Sequence, residues 1–352
     1  MREIAILGDS LVSGNIFGIQ RFAYEILREV DDLNPDISIT IVVPEHADIN
    51  ILFKNIKIEK YGNIKNAFLW RQICFPRYLQ KYRKIGVDLT LGLPFFKCDI
   101  VCLHDCTYEK FDENFKTFRE KLKRQSYLIR AKRLVKKSKL IITVSNYSKK
   151  DICNYYKISE NKVKVIYNAW QHYHRITADE NVFAKIGLKS SEQYFFSLGS
   201  ALRHKNLLWI LKAALQNPSY IFVITGSNQF SNYLQDIEID KVKNVIYTGY
   251  LSDGEVKALM SKCRAFIHPS FCEGFGIPPL EALASGANII ISNATCLPEI
   301  YGDSAIYLNP SDYKIDMKEF QNFPDKKLKL ETLAKYSWKR SATKFIEILE
   351  QL

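Results

Sequence analysis

The chain has 352 residues, enough for two domains of typical size, and its 47% hydrophobic and 25% charged residues are ordinary for a globular protein. No run approaches the roughly 20 apolar residues of a membrane-spanning helix, and the N-terminal segment lacks the apolar core and cleavage site of a signal peptide. We therefore expect a cytoplasmic protein that can lie on the inner face of the plasma membrane.

The positive charge is concentrated in the first half of the chain. Residues 1–167 carry a net charge of +11 and residues 168–352 a net charge of +1, within a total of +12. Eleven basic residues and one acid, Glu120, lie between Lys116 and Lys139. This run predicts an anionic partner. A nucleic acid would be one such partner, but the chain has no recognised nucleic-acid-binding motif, so we expect none.

Short apolar segments alternate with amphipathic ones along the first half of the chain. The predicted strands are Ile4–Leu7, Ser38–Val43, Leu89–Leu91, Asp99–Leu103, Leu140–Val144 and Lys164–Ile166. The predicted helices are Gly18–Val30, Ala67–Lys84, Phe115–Lys137 and Ser148–Tyr156. The alternation is typical of a parallel sheet with helices on both faces.

The second half repeats this alternation after a polar stretch, residues 168–191, which we interpret as a linker with a short helix. Its predicted strands are Tyr194–Ser197, Tyr220–Thr225, Asn244–Tyr247, Ala265–Ile267, Asn288–Ile291 and Ala305–Tyr307. Its predicted helices are Asn206–Leu215, Asp253–Ser261 and Pro279–Ser285, and a last helix covers Trp338–Leu352. The expected fold class is therefore α/β, with two Rossmann-like, doubly wound domains.

A nicotinamide-binding domain is disfavoured by the first strand-to-helix turn. That turn runs from Gly8 to Gly18 without the G-x-G-x-x-G spacing, and no acidic residue ends a clear second strand. A metal site at Cys98, Cys102 and Cys106 is also disfavoured, because residues four apart on a strand stand roughly 13 Å from each other.

The most informative segment runs from His268 to Gly286. It joins two carboxylates, Glu273 and Glu281, through a turn that contains Gly276 and a helix that starts with two prolines. Glycine allows a sharp turn and a close ligand approach, proline suits the first helical turn, and free N–H groups at a helix start can bind phosphate. We expect Glu281 in the first helical turn and a site for a sugar nucleotide.

This segment resembles the E-x7-E signature of retaining glycosyltransferases with the GT-B fold, family 4 (group 1) type. The resemblance implies two domains that face each other across a cleft: an acceptor-side domain, residues 1–167, a donor-nucleotide domain, residues 168–337, and a C-terminal helix, residues 338–352, that crosses back to the first domain. It further implies that Glu281 binds the donor ribose. Glu273 would bind the sugar, helped by N–H groups of Phe275, Gly276 and Ile277.

Other segments resemble the family pattern in order along the chain. Gly18 heads the first helix within Phe17-Gly-Ile-Gln-Arg-Phe22, although the family's first glycine is replaced by Phe17. His104 in Leu-His-Asp matches a histidine that contacts the donor sugar. The remaining matches, implied to bind the donor diphosphate or nucleobase, are Ser200, Arg203 and Lys205 in the loop 197–206 and Gly249 and Tyr250 in the turn 247–253.

We expect no cofactor and no metal, because Arg203 and Lys205 supply fixed cations that can offset the charge of a leaving diphosphate. The segment Asp236–Asp240 loosely mimics the D-x-D metal motif of the GT-A fold, but we interpret it as a solvated loop. The nucleotide-diphospho-sugar is a substrate, and the resemblance implies an oxocarbenium-like transition state.

The resemblance leaves the sugar and the acceptor open. GDP-mannose is the preferred donor by general likeness to bacterial polysaccharide mannosyltransferases, with a UDP- or dTDP-sugar as the alternative. The acceptor is expected to be a glycan or a lipid-linked saccharide in surface polysaccharide synthesis. A GT-B nucleotide-sugar epimerase and a glycosidase remain the competing enzyme classes.

The basic run also predicts a membrane contact. Lys121, Lys123 and Arg124 lie in it. The aromatic residues nearby in sequence are Phe68, Trp70, Phe75, Tyr78, Phe115, Phe118 and Tyr127. Basic and aromatic side chains together suit the headgroup region of an anionic membrane, from which the protein could reach a lipid-linked acceptor.

Overall fold

A computed structural model describes residues 2–12, 18–95, 98–200, 202–226 and 242–352. The chain forms two compact units. The first contains Met1–Asn168 and Ser337–Leu352, and the second contains Ala169–Tyr336. The first unit is therefore discontinuous in sequence, because the last helix belongs to it. The segment Asp236–Asp240 lies outside the described residues.

The first unit is built on a parallel sheet with the strand order β3-β2-β1-β4-β5-β6-β7. Its strands are β1 (Arg2–Leu7), β2 (Ile37–Val43), β3 (Lys57–Lys60), β4 (Ile85–Asp88), β5 (Ile100–Cys102), β6 (Leu140–Thr143) and β7 (Val163–Val165). Its helices are α1 (Gly18–Leu33), α2 (Ala67–Tyr82), α3 (Thr107–Lys110), α4 (Phe118–Lys137) and α5 (Asn146–Tyr156), joined later by α12 (Trp338–Glu350). The order runs in opposite directions from β1 and β4, so the sheet is doubly wound.

The predicted strand Leu89–Leu91 is wrong, because β4 ends at Asp88. The buried carboxylate of Asp88 accepts hydrogen bonds from the backbone N–H groups of Thr90, Gly92 and Leu93 at 2.6–3.2 Å. Leu91 and Leu93 both have positive φ angles, 59° and 47°. These hydrogen bonds to Asp88 hold residues 89–93 in a turn, so the strand ends at Asp88.

Local sequence explains the borders of α4 and the missed strand β3. Thr117 caps α4 in a reciprocal arrangement with Glu120, which starts the helix at Phe118 and not at Phe115. β3 lies at the sheet edge and reads Lys-Ile-Glu-Lys, with neither end residue buried. An edge strand needs little apolar surface, so its sequence carries only a weak strand signal.

The last helix, α12, packs on α1. Its buried face contains Trp338, Ala342 and Phe345, and the rings of Phe22 on α1 and Trp338 are 6.4 Å apart. The guanidinium of Arg2 donates to the carbonyl of Leu349 at 2.8 Å. Residues 338–350 thus supply one part of the core of the first unit.

The second unit has a parallel sheet with the order β10-β9-β8-β11-β12-β13. Its strands are β8 (Tyr194–Ser197), β9 (Ile221–Ile224), β10 (Val245–Tyr247), β11 (Ala265–His268), β12 (Ile289–Ser292) and β13 (Ile306–Leu308). Its helices are α6 (Asn181–Lys185), α7 (Leu207–Gln216), α8 (Asp253–Lys262), α9 (Ile277–Ala284), α10 (Leu297–Tyr301) and α11 (Lys326–Lys335). β8, β11 and β12 are buried along their whole length, as expected for a parallel sheet covered on both faces. The prediction of two parallel α/β sheets is confirmed.

Candidate active site

The second unit has a topological switch point between β8 and β11. From β8 the chain winds outward through β9 and β10, and from β11 it winds the other way through β12 and β13. In open parallel sheets, the loops at such a point diverge and leave a crevice at the carboxyl ends of the strands. The loop after β8 contains Lys205, and the loop after β11 contains Glu273, so the sheet order brings two predicted residues together.

Glu273 and Lys205 form a buried ion pair at this crevice. The ammonium of Lys205 lies 2.8 Å and 3.0 Å from the two carboxylate oxygens of Glu273. The Nε2 atom of His268 lies 2.7 Å from Oε1 of the same carboxylate, and the Ser270 hydroxyl lies 3.1 Å from Nε2. Glu273 is 8% exposed, whereas the Lys205 side chain is 29% exposed and reaches the rim.

Electrostatics keep Glu273 ionised. Burial alone would raise its pKa, but the charges and hydrogen bonds of Lys205 and His268 outweigh burial and hold the pKa of Glu273 well below its ordinary value. The carboxylate therefore accepts hydrogen bonds at neutral pH. Lys205 and His268 both engage the carboxylate, which lowers its nucleophilicity.

The two loops are tied together by Asn206, the residue after Lys205. Its backbone is left-handed, with φ 56°, and its amide donates to the carbonyls of Pro269 and Pro310 at 3.0 Å and 2.9 Å. The N–H of Phe271 donates to the carbonyl of His204 at 2.7 Å. These hydrogen bonds fix the short 3-10 turn Arg203–Lys205. The exposed side chain of Arg203 lies on the same turn.

Glu281 lies two residues further along α9 than the sequence indicates. The helix begins at Ile277 and not at Pro279, so the expectation that Glu281 lies in the first helical turn is wrong. Gly276 precedes the helix with φ 83°, a left-handed backbone conformation that favours glycine. A Cβ atom at this position would lie 2.7 Å from the side chain of Leu297, so a larger residue would require that side chain to shift. The carboxylate of Glu281 lies 2.8 Å from Nε2 of His172.

Packing fixes the turn before α9 from two sides. The ring of Phe275 is buried edge-on against Tyr336, with centroids 5.2 Å apart, and the hydroxyl of Tyr301 donates to the carbonyl of Gly276. Pro278 and Pro279 have no N–H group. The donors expected at the start of the helix are therefore those of Phe275, Gly276 and Ile277, which precede the proline pair.

Ser200 lies in the loop after β8, and Gly249 and Tyr250 follow β10 at the same sheet edge. The Ser200 hydroxyl accepts from the N–H of Leu202 at 3.3 Å. Gly249 exchanges two backbone hydrogen bonds with Gly226, at 2.8 Å and 3.0 Å, so its backbone groups are already engaged. The side chain of Tyr250 is 81% exposed. Of this group, Tyr250 presents the most surface to a ligand.

In the first unit, His104 is buried at the end of β5. Its Nε2 atom lies 3.3 Å from the carbonyl of Leu89, and the ring of Phe22 stands edge-on at 5.1 Å. Burial lowers the pKa of His104, so the imidazole is neutral at pH 7. With Nε2 assigned as the donor to Leu89, Nδ1 is an acceptor. Gly18 begins α1 with φ 20°, and a side chain there would meet nothing within 4 Å.

A second polar cluster, which the sequence analysis missed, lies at the switch point of the first sheet. Asp9 follows β1, and its Oδ2 atom lies 2.6 Å from Nε of Arg71 on α2. Its Oδ1 atom is buried and makes no hydrogen bond within the described ranges. Burial raises the pKa of Asp9 despite the opposing charge of Arg71. The sequence signal was a carboxylate directly after the first strand.

The basic run on α4 is only partly free to meet a partner. Lys121 and Lys123 are exposed, but Arg124 donates to the carbonyls of Tyr108 and Glu109 at 2.7 Å and 3.0 Å. Its guanidinium thus holds the end of α3, and the expectation that Arg124 belongs to a membrane face stays a prediction.

Several aromatic residues that the membrane hypothesis invoked, Trp70, Phe75, Tyr78 and Tyr127, are buried in the core. Phe118 is 78% exposed beside Leu122, which is 55% exposed. An apolar groove of about 530 Å³ lies between α2 and α4 and includes Phe68, Leu122 and Ile129.

Neither a membrane-spanning helix nor a metal-binding cluster occurs among the described residues. None of their helices is both long and apolar enough to span a bilayer. No cluster of three or more His, Cys, Asp or Glu side chains with the spacing of a metal site occurs among them.

Comparison with known proteins gives matches along most of the chain. Residues 18–170 match the family model for glycosyltransferase family 4, and residues 178–315 match the model for group 1 glycosyl transferases. The O-antigen chain mannosyltransferase RfbU of Salmonella typhimurium is 29% identical over 240 residues, which are 66% of this chain and 64% of that protein. The O-antigen chain mannosyltransferase B of Escherichia coli is 29% identical over 189 residues, 50% and 49% of the two chains.

These alignments span about half to two thirds of the length of the curated relatives. Among solved structures, Anabaena Alr3699/HepE in complex with UDP and glucose superposes on the whole chain with a TM-score of 0.71 at 15% identity, and the match covers 100% of each chain. At this identity the likeness concerns the fold.

Proposed function

Because the chain belongs to the group 1, family 4 glycosyltransferases, we propose that it transfers a mannosyl residue from GDP-mannose, with retention of configuration, to a saccharide or lipid-linked saccharide during surface polysaccharide synthesis. The single observation that carries the proposal is the Lys205–Glu273–His268 cluster at the switch point, with Glu281 eight residues after Glu273. The relatives named as O-antigen mannosyltransferases support the sugar and the pathway class.

In this proposal each glutamate has one role. Glu281 accepts hydrogen bonds from the ribose hydroxyls of the donor. Glu273, ionised and fixed by His268, accepts hydrogen bonds from hydroxyls of the transferred sugar. Lys205 lies between Glu273 and solvent, and it and Arg203 offset the charge that develops on the diphosphate.

We propose that retention proceeds by a front-face path, without a covalent glycosyl-enzyme intermediate. The bond between the anomeric carbon and the phosphate oxygen breaks, and its electron pair leaves with the diphosphate. The acceptor oxygen attacks the same face through an oxocarbenium-like transition state, and its proton passes to the departing phosphate. Glu273 is occupied by Lys205 and His268, which supports a path without a covalent intermediate.

We place the acceptor on the first unit. Asp9 and Arg71 at the switch point of its sheet offer a carboxylate and a guanidinium to sugar hydroxyls. His104 at the end of β5 offers a neutral acceptor nitrogen. Both sites lie at the carboxyl edge of the strands, where open parallel sheets bind ligands.

The α4 docking face, defined by Phe118, Lys121, Leu122 and Lys123, is the proposed contact with an anionic membrane surface. Its apolar members are more than half exposed and its lysines are exposed. Each lysine near such a surface contributes about 1 kcal/mol, so this face supports reversible binding next to a lipid-linked acceptor.

The test is a donor and product assay with the purified protein. Thermal shift against GDP-, UDP- and dTDP-sugars should give the largest increase with GDP-mannose. NMR of the product should then show an α-mannoside that forms only when an acceptor is present. Conversion of the nucleotide sugar without an acceptor would instead support the epimerase, and a preference for UDP-glucose would change the donor but keep the transferase.

A further inference from the structure

The chain enters the second unit through a tightly held turn. Gln171–Arg175 form a 3-10 turn, and His172 within it is 1% exposed. The indole of Trp170 donates to the carbonyl of Leu333 at 2.9 Å, and the amide of Gln171 donates to the carbonyl of Tyr336 at 2.9 Å. The two residues before His172 are thus tied to the end of α11.

The residue after His172 is tied on the other side. The ammonium of Lys257 on α8 donates to the carbonyl of Tyr173 at 2.8 Å, and the Tyr173 hydroxyl donates to the sulfur of Met260 at 3.1 Å. Because the backbone is fixed on both sides, the direction of the His172 side chain is set by the fold. Its Nε2 atom points at Oε1 of Glu281, 2.8 Å away.

Glu281 is the less buried of the two glutamates, with a side chain 17% exposed. Its Oε2 atom makes no hydrogen bond to any described residue, whereas Oε1 is engaged by His172. A partly exposed glutamate can adopt several rotamers, and freezing them on ligand binding costs conformational entropy. A buried imidazole that already holds one oxygen removes much of that cost.

The arrangement repeats at the other glutamate. His268 holds Glu273 at 2.7 Å, and His172 holds Glu281 at 2.8 Å. His268 is the last residue of β11 and lies five residues before Glu273. His172 comes from a turn 109 residues before Glu281 in the chain.

We propose that His172 is a positioning residue of the donor site, which holds one oxygen of Glu281 so that the other meets the ribose hydroxyls of the nucleotide. The inference rests on the proposed function, since Glu281 is the ribose ligand there. By this inference, the turn Gln171–Arg175 takes part in donor recognition.

The test compares nucleotides with and without ribose hydroxyls. Isothermal titration with GDP should give a dissociation constant about 10-fold higher for His172→Phe, equivalent to about 1.4 kcal/mol. For 2′,3′-dideoxy-GDP, wild type and His172→Phe should bind alike, because the contact served by Glu281 is absent. In turnover, the donor KM should rise in His172→Phe while kcat stays within about twofold.

Two further variants separate positioning from folding. His172→Gln places an amide donor near the position of Nε2, and it should restore GDP binding to within about threefold of wild type. His174→Phe changes an exposed histidine of the same turn, whose ring packs at a tilt against Trp170 with centroids 4.7 Å apart, and it should leave GDP binding unchanged.

The outcomes are distinct. Equal losses of GDP and dideoxy-GDP binding in His172→Phe, or no rescue by His172→Gln, would overturn the positioning role while wild-type binding keeps the proposed function. A wild-type protein that binds neither GDP nor UDP would overturn the proposed function and this inference together.

Discussion

Glu273 shows how a buried carboxylate becomes a binding group. Its position, 8% exposed within the loop after β11, would favour the neutral acid if no cations were near. Lys205 and His268 reverse that preference, and the same contacts fix the orientation of both oxygens. Lys205 and His268 therefore set both the charge and the orientation of the Glu273 carboxylate, and removing either of them should change both.

Lys205→Ala should lower kcat/KM for the donor by roughly 100-fold, because it removes a cation from the leaving diphosphate and leaves Glu273 with His268 alone. Glu281→Ala should instead raise the donor KM by about 10-fold. Steady-state kinetics with a thermal unfolding check would measure both. Lys327→Ala, at a lysine that is 85% exposed on α11, is the matched control. Wild-type kinetics in both site variants would remove these assignments.

The roles proposed for Arg203 and Lys205 predict that the enzyme needs no metal. If Arg203 and Lys205 are the groups that offset the diphosphate charge, activity should survive an excess of EDTA. Loss of activity that Mn²⁺ or Mg²⁺ restores would show that the two side chains are not sufficient.

Glu109 gives a prediction for stability against pH. Burial is the main cause that raises its pKa to about 7, although the Tyr156 hydroxyl donates to it, and its Oε2 atom is buried without a hydrogen-bond partner among the described residues. The folded state therefore holds a proton that the unfolded state, with an ordinary pKa of 4.5, releases. Stability from this group is full below pH 4.5 and is lost as pH rises through 7.

Glu109→Gln removes this titration. Relative to wild type, the variant should gain on the order of 3 kcal/mol in unfolding free energy between pH 4.5 and pH 8. Urea unfolding at pH 5 and pH 8 measures the change. An identical difference between the two proteins at both pH values would show that Glu109 is not the titrating group.

At the scale of elements, α4 divides its basic residues between two tasks. Arg124 donates to backbone carbonyls of α3, and Arg130 and Arg133 donate to backbone carbonyls of the loop after β4. Lys121 and Lys123 are exposed together with Phe118. The arginines therefore stabilise the first unit, and the lysines are the residues available to a membrane.

The double variant Lys121→Glu/Lys123→Glu should abolish most co-sedimentation with vesicles that contain anionic phospholipid, and added salt should weaken wild-type binding. Lys326→Glu/Lys327→Glu on α11 makes the same charge change elsewhere and should bind as wild type does. Sedimentation that is equal with neutral and anionic vesicles, or absent with both, would end the proposal of membrane docking.

Elements with strong local patterns were predictable from the sequence. β8 was placed at its observed bounds because four apolar or small residues, Tyr-Phe-Phe-Ser, stand between polar segments. β4 was misplaced because the decisive interaction is the side chain of Asp88 with later N–H groups, which hydrophobic periodicity does not reveal. α10 and α11 were missed because one is five residues long and the other buries few side chains.

The candidate site was predictable only where the family pattern marks it. Lys205 and Glu273 carry matched motifs, and the strand order then brings them together. His172 and Asp9 carry no motif. Their importance comes from partners 109 and 62 residues away, Glu281 and Arg71, and only the folded chain shows such pairings.

At the scale of the whole molecule, the two units differ in how their cores are assembled. The core of the second unit comes from the continuous segment Ala169–Tyr336, whereas the first unit needs α12 from beyond that segment. Trp338 and Trp209 are each 1% exposed, one in each unit. They therefore offer a matched pair of probes.

Trp338→Ala should destabilise the first unit by about 3–5 kcal/mol, because it leaves a cavity against Phe22. Hydrogen exchange read by mass spectrometry should show faster exchange in peptides from residues 2–168 but not in those from residues 169–336. Trp209→Ala should give the reverse pattern. Equal acceleration in both units for either variant would mean that they unfold as one cooperative body.

The discontinuous first unit also sets an order of events during synthesis. Strands β1–β7 leave the ribosome first, yet the apolar face of α1 stays uncovered until residues 338–350 have been translated. The second unit can therefore fold on the ribosome before α12, which completes the core of the first unit, has been translated. Exposed apolar surface on a nascent chain is an aggregation risk and a chaperone target, so premature termination within the second unit should leave a first unit that is degraded rather than merely inactive.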